Sequence, residues 1–245
     1  DYTVGNYIAL ALIPAFSLWF ILRRALSPAA SALLWFATLW PAFFLLIGAS
    51  SRSGALAVAV SFGLWVLLRG GRGRFKLAVG SLGILLAVLV LQGRAGLGAV
   101  ESDGRWSLWH LAWQVVCEHP WLGAGAGRYN EAFRALGLTP EKDVITISHP
   151  HNLYLDMLYA HGIVGFVLGM IFLLGFIWWG YKRIRPRLLA ELESKSPSNY
   201  WRMTAWFWIG FGGWLVNGIF GHDFYRIWWL GLAMSHLGVM IGAVV

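Results

Sequence analysis

The chain has 245 residues, 58% of them hydrophobic and 12% charged, with 16 tryptophans and a single cysteine, Cys117. A soluble domain carries about 25% charged residues, so this composition and a mean hydropathy of +0.64 exclude an ordinary globular protein. They indicate an integral membrane protein with tryptophans at its interfaces. One cysteine excludes an intrachain disulfide and a CxxC metal site. The formal charge of +8 would suggest a nucleic-acid partner in a soluble protein; here basic cytoplasmic loops account for it, and no nucleic acid is expected. No cleavable signal peptide is visible. The sequence opens at Asp1 and closes on an apolar run, and is expected to be a piece of a longer membrane protein.

A spanning helix needs about 20 apolar residues. Seven runs reach or approach this: Gly5–Leu22, Ala30–Gly48, Gly54–Leu68, Leu77–Leu91, Leu153–Tyr181, Trp201–Phe220 and Ile227–Val245. The third and fourth are short. The expected fold is all-α, a polytopic transmembrane bundle forming a single membrane domain over residues 1–245, with residues 92–152 inserted as a large loop. Charge sets the orientation. Arg23 and Arg24, then Arg69, Arg72, Arg74 and Lys76, then Lys182, Arg183, Arg185, Arg187, Lys195 and Arg202 fall in alternate loops. The positive-inside rule assigns these to the cytoplasm. The Ser51-Arg52-Ser53 turn, the 92–152 segment and Gly221–Arg226 then lie outside.

An outer segment of about sixty residues is too long for a plain connection. Ser102 or Asp103 can cap a helix running to about His119. On it Trp106, Trp109, His110, Trp113, Val116 and Cys117 share one face at helical spacing, which suits either the membrane interface or packing on the bundle. The following Pro120-Trp121-Leu122-Gly123-Ala124-Gly125-Ala126-Gly127 lacks both the dinucleotide-binding spacing and a Walker lysine. It reads as a close-packed turn, and Arg128–Arg134 as a short helix.

The most informative stretch is Ser148-His149-Pro150-His151-Asn152-Leu153. Pro150 keeps His149 out of the α region and cannot enter a helix interior, so a helix should begin at about His151 or Asn152. Its free N–H groups and positive dipole end would face the imidazoles, suiting an anionic ligand and keeping a nearby histidine neutral as a base. A capped helix start with two interfacial histidines is the simpler alternative.

Arg52 sits between apolar helices, where a guanidinium needs a counter-charge. A structural acid or a bound phosphate, which it can grip bidentately, would serve; Arg105 faces the same choice. His222 and Asp223 form a third outer cluster with a possible supporting role, or an interfacial turn. His236 and Asn217 fall within spans and are expected to satisfy helix contacts. A metal site from His149, His151, His222 and Asp223 has only weak HxH spacing behind it, and no nucleophile elbow is present. The reading is a metal-free and cofactor-free site of histidine and arginines.

At these residues the chain resembles the bacterial O-antigen ligases and their relatives, the O-antigen polymerases and protein O-oligosaccharyltransferases. The matching motifs are Ser51-Arg52-Ser53-Gly54, Gly104-Arg105-Trp106 with Trp109, Pro120-Trp121-Leu122-Gly123-Ala124-Gly125, His149-Pro150-His151-Asn152-Leu153-Tyr154-Leu155 and His161-Gly162-Ile163-Val164-Gly165. Their order and approximate spacing fit over about residues 5–240. The resemblance implies a C-type membrane glycosyltransferase of the bacterial inner membrane with a periplasmic site. Such an enzyme moves a glycan from undecaprenyl pyrophosphate to an acceptor hydroxyl, in ligases one on the lipid A-core. It further implies His151 as base, with His149 able to share the role, Arg52 and Arg105 as pyrophosphate ligands, and more N-terminal helices than this chain carries; Asn152, beside His151, is a possible supporting residue. Where many members have an acidic residue before the glycine of the last motif, this chain has His161. A polymerase or protein glycosyltransferase of the same superfamily is one alternative and a polytopic transporter a more distant one. Clustering of the ionisable groups at one face argues against the transporter.

Overall fold

The computed structural model describes residues 25–37, 52–69, 105–129, 150–194, 198–219 and 227–244, together with Trp19, Leu22, Glu131 and Arg134. Among them all regular secondary structure is α-helical. The helices are α1 (Pro28–Ala37), α2 (Arg52–Arg69), α3 (Arg105–Glu118), α4 (Leu153–Glu193), α5 (Tyr200–Asn217) and α6 (Ile227–Val244). The expected spans at Gly54–Leu68, Trp201–Phe220 and Ile227–Val245 therefore correspond to helices. Those at Gly5–Leu22 and Leu77–Leu91, and the end of Ala30–Gly48, lie outside the described residues. Helix α1 starts two residues ahead of the expected Ala30 because the Ser27 hydroxyl accepts the Ala30 amide at 3.2 Å and Pro28 fills the first helical position.

Among the described residues α4 is the one helix long and apolar enough to cross a membrane, with a mean hydropathy of 2.3 in its best window. Its Leu168, Ile171, Phe172 and Trp178 side chains are exposed, and an apolar run of that size requires lipid or another protein against it. Two features of α4 depart from the sequence reading. The helix is interrupted at Gly162, whose φ of 64° and ψ of −169° are not helical. It also continues beyond Tyr181 to Glu193. The charged residues there looked like a loop, but Ile184, Leu188 and Glu191 form a buried stripe at helical spacing. Lys182 packs over Trp178 at 4.9 Å, and Arg185 lies over Tyr181 at 5.8 Å.

The chain divides into two compact units. One draws on Asp1–Gly93, Ile177–Asn217 and Gly231–Val245. In it α5 is buried nearly all round, with Trp208, Phe211 and Trp214 at its centre. Trp206 stacks on Trp65 of α2 at 4.6 Å, and the Trp208 indole donates to the Ile177 carbonyl at 3.1 Å. The Tyr200 hydroxyl donates to Ala243 at 3.1 Å, joining the start of α5 to the end of α6. The α4–α5 turn is closed by the Glu191 carboxylate. It accepts the Trp201 amide at 2.7 Å and the Ser198 hydroxyl at 3.0 Å, and it lies 3.6 Å from Arg202. The second unit, Arg94–Phe176 with Gly218–Leu230, holds α3 and the start of α4.

Candidate functional site

Asn152 is the N-cap of α4. Its side-chain oxygen accepts the amides of Tyr154 and Leu155, each at 3.0 Å, as short polar side chains do at this position. The Leu153 amide donates to the Gly218 carbonyl at 2.7 Å. The helix thus starts within a residue of where Pro150 predicted, but the expectation of free N–H groups there is corrected. The first three helical amides are occupied by Asn152 and Gly218, so the helix offers an anion its dipole field and not these donors.

His151 precedes this cap with φ at +52°, a left-handed conformation costing an L-residue roughly 1–2 kcal/mol. It persists because both sides of the residue are fixed. Downstream are the Asn152 cap and the Gly218 carbonyl. Upstream, the Trp109 indole N–H donates to the buried Pro150 carbonyl at 2.8 Å. His151 itself is half-buried.

Helix α3 supplies that indole. Its inner face, Leu108, Ala112, Val115 and Val116, is buried and packs with Tyr129, Tyr159 and Ala160. Trp106, His110, Trp113 and Cys117 face outward. The single tryptophan-rich face expected for this helix is therefore divided, with Val116 inside and Trp109 half-buried at the border. Tyr129 anchors the other flank: its hydroxyl donates to the Leu108 carbonyl at 2.9 Å, and its ring meets Tyr159 edge-on at 5.3 Å. Burial, then the neighbouring Tyr159 and Asp156, push the Tyr129 hydroxyl far above the usual tyrosine range.

The break at Gly162 serves the glycine-rich turn. Interrupting α4 frees carbonyls before the break and amides after it. Ala124 and Gly125 donate to the Tyr159 and Ala160 carbonyls at 2.9 and 3.1 Å, while Ile163 and Val164 donate to the Pro120 and Trp121 carbonyls at 2.8 and 3.3 Å. Gly123 has φ +72° and Gly162 φ +64°, and each backbone presses against the opposing segment. The turn is a backbone clasp whose Gly123, Ala124 and Gly125 amides are spent on protein carbonyls, consistent with its reading as close-packed. The sequence signal for the break was a glycine inside an apolar helical run, which alone does not separate a break from a tolerated glycine.

The sequence-derived candidates are placed as follows. His151 and Asn152 form the turn and cap. Arg105 is the first residue of α3, one helical turn before Trp109 and in the same compact unit as His151. Arg52 is the first residue of α2, in the other unit. His149, His222 and Asp223 lie outside the described residues, as does most of the weak metal-ligand set. His161 ends the first piece of α4 and is exposed. His236 is buried against Phe207 at 5.4 Å, in keeping with a helix-contact role. Asn217 is buried too, but its side-chain amide makes no hydrogen bond among the described residues. Sequence reasoning gave no function to Trp109, Gly162 or Tyr129.

Residues 36–170, more than half of the chain, match the family model described as O-antigen ligase. The chain is also similar to an O-antigen ligase of Pseudomonas aeruginosa, at 30% identity over 149 residues, covering 59% of this chain. The chain spans about a third (34%) of that curated relative's length.

Proposed function

Because the chain belongs to the O-antigen ligase family, we propose that it forms the reaction centre of a membrane glycosyltransferase that moves a glycan from undecaprenyl pyrophosphate to an acceptor hydroxyl on the lipid A-core. The reaction takes place at the periplasmic face of the bacterial inner membrane and belongs to lipopolysaccharide biosynthesis. The observation that carries this reading is the extent of the family match. It includes Arg52, Arg105, His149 and His151 together, so both candidate pyrophosphate ligands and both candidate bases fall within the matched residues.

In this mechanism the acceptor oxygen attacks the anomeric carbon, and the bond from that carbon to the pyrophosphate oxygen breaks. The hydroxyl proton passes to the His151 imidazole, with His149 able to share the role. The leaving pyrophosphate keeps the bonding electron pair, and its growing charge is met by Arg52 and Arg105. Occupied amides at the start of α4 make the arginines the principal partners of that charge, with the helix dipole adding to them. A single displacement inverts the anomeric centre. No metal or cofactor takes part in this scheme.

Arg52→Ala, Arg105→Ala and His151→Ala in the full-length protein test it, read by gel analysis of lipopolysaccharide from a deletion strain carrying each variant. Uncapped core together with polymeric lipid-linked glycan, from variants that insert normally, is the expected result. Normal capped lipopolysaccharide from all three discards the proposal. Core capped by single repeats in the deletion strain itself identifies a polymerase instead.

A further inference from the structure

We propose that Trp109 is a positioning residue, which sets the conformation of the His151 turn through its indole hydrogen bond to the Pro150 carbonyl. This rests on the reading of His151 as the base. The bond joins residues 41 apart in sequence at 2.8 Å. The acceptor belongs to a buried proline, which has no N–H of its own with which to fix the backbone there. Beyond it, His151 is in the left-handed region at φ +52°, and Leu153 is held by the Gly218 carbonyl. His151 is therefore suspended between two fixed backbone points. The downstream point belongs to the α4 cap, while at the upstream one the contact seen among the described residues comes from a side chain of another helix.

That helix is firmly seated. Leu108 and Ala112 of the same helix are buried, and Trp106 meets the Trp109 ring edge-on at 5.5 Å. Trp109 also stands one turn from Arg105 on α3. One hydrogen bond thus ties the helix start that carries a pyrophosphate ligand to the turn that carries the base. Its loss leaves both groups present but unties the spacing between them. Displacement of a reacting group by about 1 Å costs on the order of 100-fold in rate.

The test compares Trp109→Phe, which keeps a ring but removes the donor, with Trp109→His, whose Nε2 occupies the ring position of the indole nitrogen. Both are made in the intact protein, with His151→Ala alongside. The readouts are kcat and donor KM for glycan transfer, and hydrogen exchange of a peptide covering residues 150–156. Trp109→Phe is expected to lower kcat by about 10- to 100-fold with donor KM unchanged and to speed exchange in that peptide; Trp109→His recovers a large part of both. If Trp109→Phe fails to insert, Trp109→His decides: wild-type exchange there supports the role, and lost protection overturns it. Wild-type kcat and exchange in Trp109→Phe, beside an inactive His151→Ala, overturn the positioning role alone. Transfer that survives His151→Ala overturns the base assignment and with it the catalytic part of this inference, while the exchange data still report whether the indole holds the turn.

Discussion

Gly123 and Gly162 meet backbone to backbone. A Cβ added to Gly123 would lie 2.6 Å from the Gly162 nitrogen, and one added to Gly162 would run into the Trp121 carbonyl. Both residues have positive φ, so a side chain at either would combine backbone strain with overpacking. Gly162→Ala and Gly123→Ala are each expected to destabilise the unit by about 3 kcal/mol. Thermal unfolding in detergent checks this, and an unchanged midpoint would contradict the clasp.

Tyr129 gives a pH dependence. Its folded-state pKa is raised above the ordinary 10.0 by burial, so the neutral, hydrogen-bonding form is favoured in the folded state. The resulting stability is fully present below about pH 10 and is lost as pH rises toward the folded-state value. Tyr129→Phe removes the bond to Leu108, costing about 1 kcal/mol, and should flatten the alkaline decline. Unfolding midpoints of both proteins from pH 7 upward test this; equal alkaline slopes would speak against it.

The α4–α5 turn depends on Glu191, which is 7% exposed, as a cap for α5 and a partner for Arg202. Glu191→Ala removes the cap bonds and leaves a guanidinium in a largely buried place, with an expected cost of about 3 kcal/mol. Arg202→Met leaves the Ser198 and Trp201 bonds to Glu191 intact and should cost less. A loss in Arg202→Met equal to or larger than that in Glu191→Ala, read by chemical denaturation, would contradict the capping role.

Trp121 and Leu122 are 70% and 76% exposed, and the Trp121 carbonyl is bonded to Val164 where the exposed apolar run of α4 begins. The tip of the clasp is therefore expected at the outer membrane interface. A nitroxide on Leu122→Cys, with the exposed Cys117 thiol replaced by serine, should collide more with oxygen than with a water-soluble nickel chelate in lipid. Dominant nickel collisions would place the tip in water.

Hydrophobic runs and punctuation carried much of the fold. Apolar stretches located α2, α5 and α6, and Pro150 with Asn152 located the start of α4 to within a residue. What escaped the sequence depended on partners distant along the chain. Gly162 breaks α4 because the Pro120–Gly125 backbone is there to take up the freed bonds, which a local apolar pattern does not reveal. Lys182–Glu193 looked like loop because charge outweighed a buried stripe of only three positions. The Leu153 amide at the start of α4 looked available because Gly218, far along the chain, was not visible as its acceptor. The residue types of the candidate site were legible as a motif, whereas the bond from Trp109 that shapes it was not.

Transfer by the intact protein in proteoliposomes, from a polyprenyl pyrophosphate glycan of known anomeric configuration, tests the central claim most directly. The account predicts a product of inverted configuration, one polyprenyl pyrophosphate released per glycan transferred, and a rate about 100-fold or more lower in His151→Ala. Retention of configuration, or a His151→Ala rate equal to wild type, would contradict it.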